Sequence, residues 1–214
     1  MSRYIVVEGV IGAGKTSLAK KLQKHFGGEI VFEEFEENPF LEDFYHDRRR
    51  FAFQTQMFFL LSRFNQQEKL RQTDLFQDYL FSDYFFSKDR IFASINLDER
   101  EMSLYDSIAK ILERQIVQPD LIVFLNASVD RLMYNIKRRA RPMEQNMERE
   151  YISQLADAYR KYFRTYQKSP LLIVESSSID FINNSSDFEK ILDAINNHRE
   201  GVKYFAPEGA INVF

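Results

Sequence analysis

Residues 9–16 read Gly9-Val10-Ile11-Gly12-Ala13-Gly14-Lys15-Thr16 and match the phosphate-binding pattern G-x-x-x-x-G-K-[ST]. An apolar, β-branched run precedes them at 4–7 and a helix-like stretch follows at 17–22. This is the strand–loop–helix setting that the pattern requires. Glycines let successive backbone N–H groups and the positive helix end converge on phosphate oxygens. The stretch predicts a nucleoside triphosphate site, in which Lys15 reaches the β- and γ-phosphates and Thr16 ligates Mg²⁺.

The remaining sequence alternates between apolar runs and helical patterns. Five runs predict strands, of which the third is the weakest: residues 4–8, 29–33, 78–82, 120–126 and 171–175. Strands that alternate with helices indicate an α/β fold with a parallel sheet covered on both faces. Only seven Gly and five Pro are present and no low-complexity linker interrupts the pattern. We therefore expect one domain over residues 1–214, with an irregular tail from about 201 to 214.

Composition excludes several classes of protein. A net charge of −3 argues against a nucleic-acid backbone as the main partner, since such proteins usually carry a basic surface. The absence of cysteine removes disulfides, thiolate nucleophiles and cysteine-based zinc sites. No apolar run approaches the roughly 18 residues of a membrane span, and the first three residues leave no room for a signal peptide. We expect a cytoplasmic protein with no membrane partner.

Two carboxylates follow predicted strands. Glu33 ends the second strand and Asp83 closes the third, at the sheet edge where ligands of open α/β sheets bind. Glu33 is suited to accept a proton from a substrate hydroxyl, although the neighbouring glutamates are also typical of a solvated acidic loop. Asp83 is suited to hold Mg²⁺ or to act as the base. The pattern leaves open which carboxylate is the base.

A strongly helical segment at 51–67 carries two polar residues that are seven positions apart. Gln56 and Arg63 therefore lie nearly aligned along one flank of its apolar stripe, whereas Gln54 points to the opposite side. An amide beside a guanidinium suits the hydrogen-bonding edge of a base. The alternative is that both are ordinary boundary residues.

Arginines cluster after the helix predicted at 128–137. Arg138, Arg139 and Arg141 lie in a short connection that can close over a triphosphate and neutralise transition-state charge. The alternative is a solvated basic face. Farther up the chain Asp89 precedes Arg90 in helical context, where a structural ion pair is the simplest interpretation.

Taken together, these motifs resemble the deoxynucleoside kinase family, and its bacterial deoxyadenosine/deoxyguanosine kinase branch in particular, from Ile5 to about Tyr151. The resemblance implies a three-layer P-loop kinase fold with a five-stranded parallel sheet and an arginine-rich lid at about 137–147. It implies 5′-phosphorylation of a deoxyribonucleoside, purines favoured, with ATP as the donor and Mg²⁺ as cofactor. A homodimer is also implied, and the amphipathic segment 98–117 offers a helical face for it or for the core.

The resemblance also assigns individual residues. Glu33 is the counterpart of the carboxylate near the 5′-hydroxyl, and Asp83 of a catalytic acid. The residues expected to contact the nucleoside are Glu33, Tyr45, Gln56, Arg63, Tyr84, Asp89 and Glu144, with Tyr45 and Glu144 on the sugar 3′-hydroxyl. The catalytic set is Lys15, Glu33, Asp83, Arg139 and Arg141, and ATP is expected on Gly9, Val10, Ile11, Gly12, Ala13, Gly14, Lys15, Thr16 and Arg138.

One departure from the family pattern affects the chemistry. Tyr84 stands where the family usually has the arginine that handles the 5′-oxygen and the phosphates. That function must pass to another residue, with Arg90 or a lid arginine as candidates. Two rival functions remain: a thymidylate-type nucleoside-monophosphate kinase, which needs a cationic site for the acceptor phosphate, and a slow NTP-binding regulatory module. The latter usually carries Asn-Lys-x-Asp, which is absent.

Overall fold

The structure, a computed structural model, describes residues 3–72 and 78–206. Six strands form one parallel sheet in the order β2-β3-β1-β4-β5-β6. Central β1, β4 and β5 are almost wholly buried, which explains why they read as unbroken apolar runs. The strands are β1 (Arg3–Gly9), β2 (Glu29–Val31), β3 (Tyr79–Ser82), β4 (Leu121–Asn126), β5 (Leu171–Glu175) and β6 (Val202–Phe205).

Helices occupy the intervals between the strands and flank the sheet. They are α1 (Lys15–Phe26), α2 (Leu41–His46), α3 (Arg48–Gln72), α4 (Lys88–Asn96), α5 (Glu99–Leu112), α6 (Val129–Arg139), α7 (Arg149–Arg164) and α8 (Ser185–Asn196). The predicted α/β fold is confirmed. Within residues 3–72 and 78–206, no helix combines the length and the apolarity that crossing a membrane requires.

The sheet has six strands rather than the predicted five. The additional strand, β6, lies within the segment predicted to be irregular from about 201, and it pairs in parallel with β5 from Leu171↔Val202 to Val174↔Phe205. It escaped prediction because it is a short edge strand in which Lys203 interrupts the apolar run and Val202 is 56% exposed. Residues 207–214 of the predicted tail lie outside the described residues.

The strand order places the candidate residues at one edge of the sheet. β1 lies between β3 and β4, so the phosphate loop that follows Gly9 emerges beside the end of β3 at Ser82. β2 pairs with β3 at Val31↔Ser82, which brings Glu33 to the same edge. β2 and β3 lie on one side of β1, and β4, β5 and β6 lie on the other. Open α/β sheets bind ligands in the crevice at such a change of direction, outside the carboxyl ends of the strands.

Candidate active site

The phosphate loop has a backbone that only glycine adopts easily at two positions. Gly12 and Gly14 have φ angles of +87° and +95°. A Cβ at Gly12 would also lie 2.7 Å from the carbonyl oxygen of Leu132. Lys15 folds back over the loop, and its Nζ donates to the carbonyls of Gly9 (2.8 Å) and Val10 (3.3 Å). Burial lowers the pKa of Lys15 to about 8.

Glu8 immediately precedes the phosphate loop and fixes its position by hydrogen bonds. Its side chain is fully buried and accepts from the N–H groups of Gly9 and Phe85, both at 2.7 Å, and from the Tyr159 hydroxyl at 3.2 Å. Burial raises the pKa of Glu8, with Lys88 and Lys15 opposing that effect. One carboxylate thus joins the end of β1, the segment after β3 and helix α7.

Asp83 connects the phosphate loop to the end of β2. One of its carboxylate oxygens accepts from the Thr16 hydroxyl, and the other accepts from the Glu33 backbone N–H at 2.9 Å. The Asp83 side chain is buried, whereas Thr16 is exposed. The sequence prediction that these three residues meet at one edge is supported by this geometry.

Four charged side chains form a buried chain of ion pairs between β2, α3 and α4. Glu33 Oε1 accepts from Arg63 Nη2 (2.6 Å) and Nε (3.1 Å), while Oε2 accepts from Lys88 Nζ (2.7 Å). Arg63 Nη1 donates to Asp89 at the other end. Burial would raise the pKa of Glu33, but Lys88, Arg63 and Lys15 together hold it well below its usual range. Glu33 is therefore ionised.

Glu33, Arg63 and Lys88 line a cavity of about 620 Å³ including its mouth. Gln56 is 1% exposed, and its Oε1 has no hydrogen-bond partner among the described residues. The aromatic walls include Phe35, Phe59 and Phe92. The polar lining comprises Lys15, Glu33, Tyr45, Thr55, Gln56, Arg63, Lys88, Arg139, Arg141 and Glu144.

The arginine segment covers one side of this cavity. α6 ends at Arg139, and Ala140 adopts a left-handed conformation with φ +53° that reverses the chain. Arg139 Nη2 donates to both oxygens of Glu144 at 2.6 and 2.7 Å. The Arg141 guanidinium lies 4.3 Å from the ring centroid of Phe35. Glu144 is itself buried and anchors Arg139 at the cavity, whereas Lys137 and Arg138 are exposed.

A second cavity of about 820 Å³ including its mouth opens over the phosphate loop. It shares Lys15, Arg139 and Arg141 with the first cavity, so the two meet at these three cations. Its lining comprises Gly12, Gly14, Lys15, Thr16, Ser17, Asn135, Arg138, Arg139, Arg141 and Ile182. The arrangement suits two ligands that approach each other end to end.

Two sequence-derived candidates do not reach the first cavity. Tyr84 is fully buried and is absent from the described lining, so the expectation that it contacts substrate needs correction. Asp89 is 1% exposed and lies behind Arg63, which it holds in place. Arg90 was a candidate to replace the family arginine at position 84, but it pairs with Asp106 (3.0 Å) and Glu113 (3.8 Å). These partners also contradict the predicted ion pair between Asp89 and Arg90.

Lys88 is the charged residue of the cavity lining that sequence reasoning missed. It lies four residues after Tyr84, at the start of α4, and its side chain is 6% exposed. A lysine at the first position of a helix is unfavourable, because its charge opposes the helix dipole. This unfavourable position is the feature of the sequence that could have indicated a functional role for Lys88. Nothing in the sequence indicated that its partner is Glu33, which lies 55 residues away.

Comparisons with known proteins agree on one family. The family model described as deoxynucleoside kinase matches residues 5–200. Deoxyguanosine kinase of Bacillus subtilis (strain 168) is 35% identical over 198 residues, which cover 88% of this chain and 93% of that protein. Deoxyadenosine/deoxycytidine kinase of the same organism is 28% identical, covering 89% and 90%. The structure of deoxyadenosine kinase from M. mycoides with bound dATP superposes with a TM-score of 0.80 at 24% identity, covering 91% of this chain and 100% of that one.

Replacing Glu8 by Ala is expected to destabilise the protein by about 3 kcal/mol, because the substitution leaves two buried N–H groups and a buried hydroxyl without their acceptor. Urea unfolding at neutral pH measures the difference. Glu29→Ala, an exposed position on edge strand β2, is the control and should change stability by less than about 0.5 kcal/mol. A Glu8→Ala variant as stable as the wild type would contradict the anchoring role.

Proposed function

Since the chain belongs to the deoxynucleoside kinase family, we propose that it transfers the γ-phosphoryl group of ATP to the 5′-hydroxyl of a purine deoxyribonucleoside. The observation that carries this proposal is the junction of two cavities at Lys15, Arg139 and Arg141, with Glu33 on the inner side. The cavity over the phosphate loop takes the donor, and the aromatic-walled cavity takes the acceptor. The three shared cations lie where the transferring group passes.

Glu33 is the proposed proton acceptor. Its carboxylate lines the acceptor cavity, whereas Asp83 is absent from the described lining and faces Thr16. A base must lie within hydrogen-bond reach of the proton it takes, which favours Glu33. Its lowered pKa keeps it ionised, so it first aligns the 5′-hydroxyl by accepting its hydrogen bond. Proton transfer then follows as the hydroxyl loses electron density to phosphorus.

Thr16 and Asp83 are the residues we propose to hold Mg²⁺. A hydroxyl and a carboxylate in contact fit the oxygen ligands that this ion prefers. Within the described residues there is no cluster of three or more acidic or histidine side chains to form a metal cage, which suits an ion that completes its shell with phosphates and water. When bound, Mg²⁺ neutralises charge on the β- and γ-phosphates.

Gln56 is the proposed base reader, and Tyr45 and Glu144 the proposed contacts of the sugar 3′-hydroxyl. The unpartnered Gln56 Oε1 is a buried acceptor that a base amino or imino N–H group would satisfy. Phe59 and Phe92 line the same cavity and suit a planar ring. A purine, and deoxyguanosine first, is proposed because relatives at 35% and 31% identity are named deoxyguanosine kinases.

A substrate panel tests this function. Purified protein with ATP and Mg²⁺ is offered deoxyadenosine, deoxyguanosine, deoxycytidine, thymidine and dAMP separately, and product is separated by ion-exchange chromatography. We expect phosphorylation of deoxyguanosine and deoxyadenosine with a kcat/KM at least tenfold above that of thymidine. Turnover of dAMP in place of nucleosides would support a nucleoside-monophosphate kinase. No turnover with any acceptor would support an NTP-binding module without kinase activity.

Matched variants separate the roles of the two carboxylates. Glu33→Gln is expected to lower kcat by about 10²–10³-fold with nucleoside KM changed less than fivefold, because the amide cannot take the proton. Asp83→Asn is expected to raise the Mg²⁺ concentration needed for half-maximal rate instead. Steady-state kinetics over a Mg²⁺ titration measures both. The reverse pattern would make Asp83 the base and Glu33 a binding residue.

We also propose a homodimer formed through α3 and α5. Leu104 and Ile111 on α5 are 52% and 61% exposed and lie seven residues apart, hence on one helix face. Leu61 on α3, a helix that packs against α5, is 48% exposed. Large exposed apolar side chains on neighbouring helices are typical of protein–protein interfaces.

The double variant Leu104→Glu/Ile111→Glu is therefore expected to be a monomer, because two carboxylates cannot be buried without partners. Sedimentation velocity at 10–50 μM protein (about the range of μM affinities) measures the change. Val202→Glu, on the exposed edge strand β6, is the matched control and should stay dimeric. A wild type that sediments as a monomer would contradict the proposal.

A further inference from the structure

We propose that Lys88 is a catalytic residue whose ammonium group binds the phosphoryl group as it passes from the donor to the acceptor hydroxyl. This inference rests on the proposed function. Lys88 lines the acceptor cavity, and no sequence motif indicated it.

The placement of Lys88 is unfavourable for a lysine that has only a structural role. It is the first residue of α4, where the helix carries partial positive charge. It is also 5% exposed, and an ammonium group removed from water needs an anionic partner. Among the described residues Glu33 is the carboxylate that pairs with it, at 2.7 Å. Such local conflicts with folding preferences are expected at functional sites.

The ammonium group of Lys88 lies at the wall of the acceptor cavity, beside Glu33. Lys88 lines the acceptor cavity with Glu33, and its Nζ lies 5.7 Å from the ring centroid of Phe92. Lys15, from the phosphate loop, lines the same cavity and is one of the three cations shared with the cavity over that loop. The positive charge of Lys88 adds to the larger effect of burial in lowering the pKa of Lys15.

Each of the three arginines of the acceptor cavity has a carboxylate partner other than Glu33. Arg63 is held by both Glu33 and Asp89, and Arg139 by Glu144. The remaining lid cation, Arg141, lies over Phe35 and within 3.5 Å of Glu144. Lys88 therefore differs from the three arginines, because among the described residues its ion-pair partner is Glu33 alone, the proposed proton acceptor.

That pairing couples proton transfer to phosphoryl transfer. The 5′-oxygen forms a bond to the γ-phosphorus, the bond from that phosphorus to the β,γ-bridging oxygen breaks, and the hydroxyl proton moves to Glu33. Once Glu33 is neutral, Lys88 loses its anionic partner at the moment when the acceptor gains a phosphate. The ammonium hydrogen bond then passes from the carboxylate to the phosphoryl oxygens. An interaction that strengthens in the transition state lowers the barrier.

The proposal is tested with Lys88→Met and Lys88→Arg, in steady-state kinetics and in calorimetric binding without donor. We expect Lys88→Met to lower kcat by about 10²–10³-fold while nucleoside KM changes less than fivefold. It should also weaken binding of the deoxyribonucleoside 5′-monophosphate product at least tenfold and that of the nucleoside less than threefold. Lys88→Arg should recover most of the monophosphate affinity because it keeps the charge.

Arg90→Met, which removes a cation two residues away that faces Asp106 and Glu113, is the matched control and should leave kcat within twofold. A Lys88→Met variant that binds monophosphate as tightly as the wild type, or retains kcat within fivefold, would overturn the proposal while the kinase function stands. If Lys88→Met does not fold, Lys88→Gln is measured in the same way and against the same limits. Failure of the wild type to phosphorylate any nucleoside would instead overturn the proposed function.

Discussion

The ion pairs that hold the carboxylate of Glu33 between Arg63 and Lys88 are the interaction on which the proposed acceptor site depends. This carboxylate joins the end of β2 to α3 through one guanidinium and to the start of α4 through one ammonium group. Removing one member of a buried ion pair leaves the other charge uncompensated, at a cost of about 3–5 kcal/mol. The three segments are thereby held together by charges that also serve the proposed chemistry.

Two further carboxylates, those of Glu8 and Asp83, hold segments around the phosphate loop together. Glu8 fixes the start of the phosphate loop against the segment after β3 and against α7, and Asp83 holds Thr16 and the backbone of Glu33. The phosphate loop and the segment that carries Glu33 are therefore both fixed by hydrogen bonds to carboxylates. Preorganised charge of this kind need not reorganise during the reaction, which is the main source of electrostatic catalysis.

Local patterns predicted much of the architecture and several site residues. Central strands were recognised because burial on both faces leaves an unbroken apolar run, and Gln56 and Arg63 because a helix aligns positions seven apart. β6 was missed because an edge strand lacks such a run. Tyr84 was expected in the pocket because it stands where the family usually has an arginine, but its side chain turns into the interior and Lys88 enters the cavity instead. Backbone position alone does not determine side-chain direction in an irregular segment.

The sequence by itself determined the phosphate loop, the parallel α/β fold and the acids at the strand ends, because each depends on residues close together in the chain. Only the tertiary structure decided which charges meet. Glu33, Arg63 and Lys88 are separated by 30 and 55 positions, and their contact depends on how α3 and α4 pack over the sheet. Ion pairs depend on distance in space, and no local pattern encodes the distance between side chains so far apart in sequence.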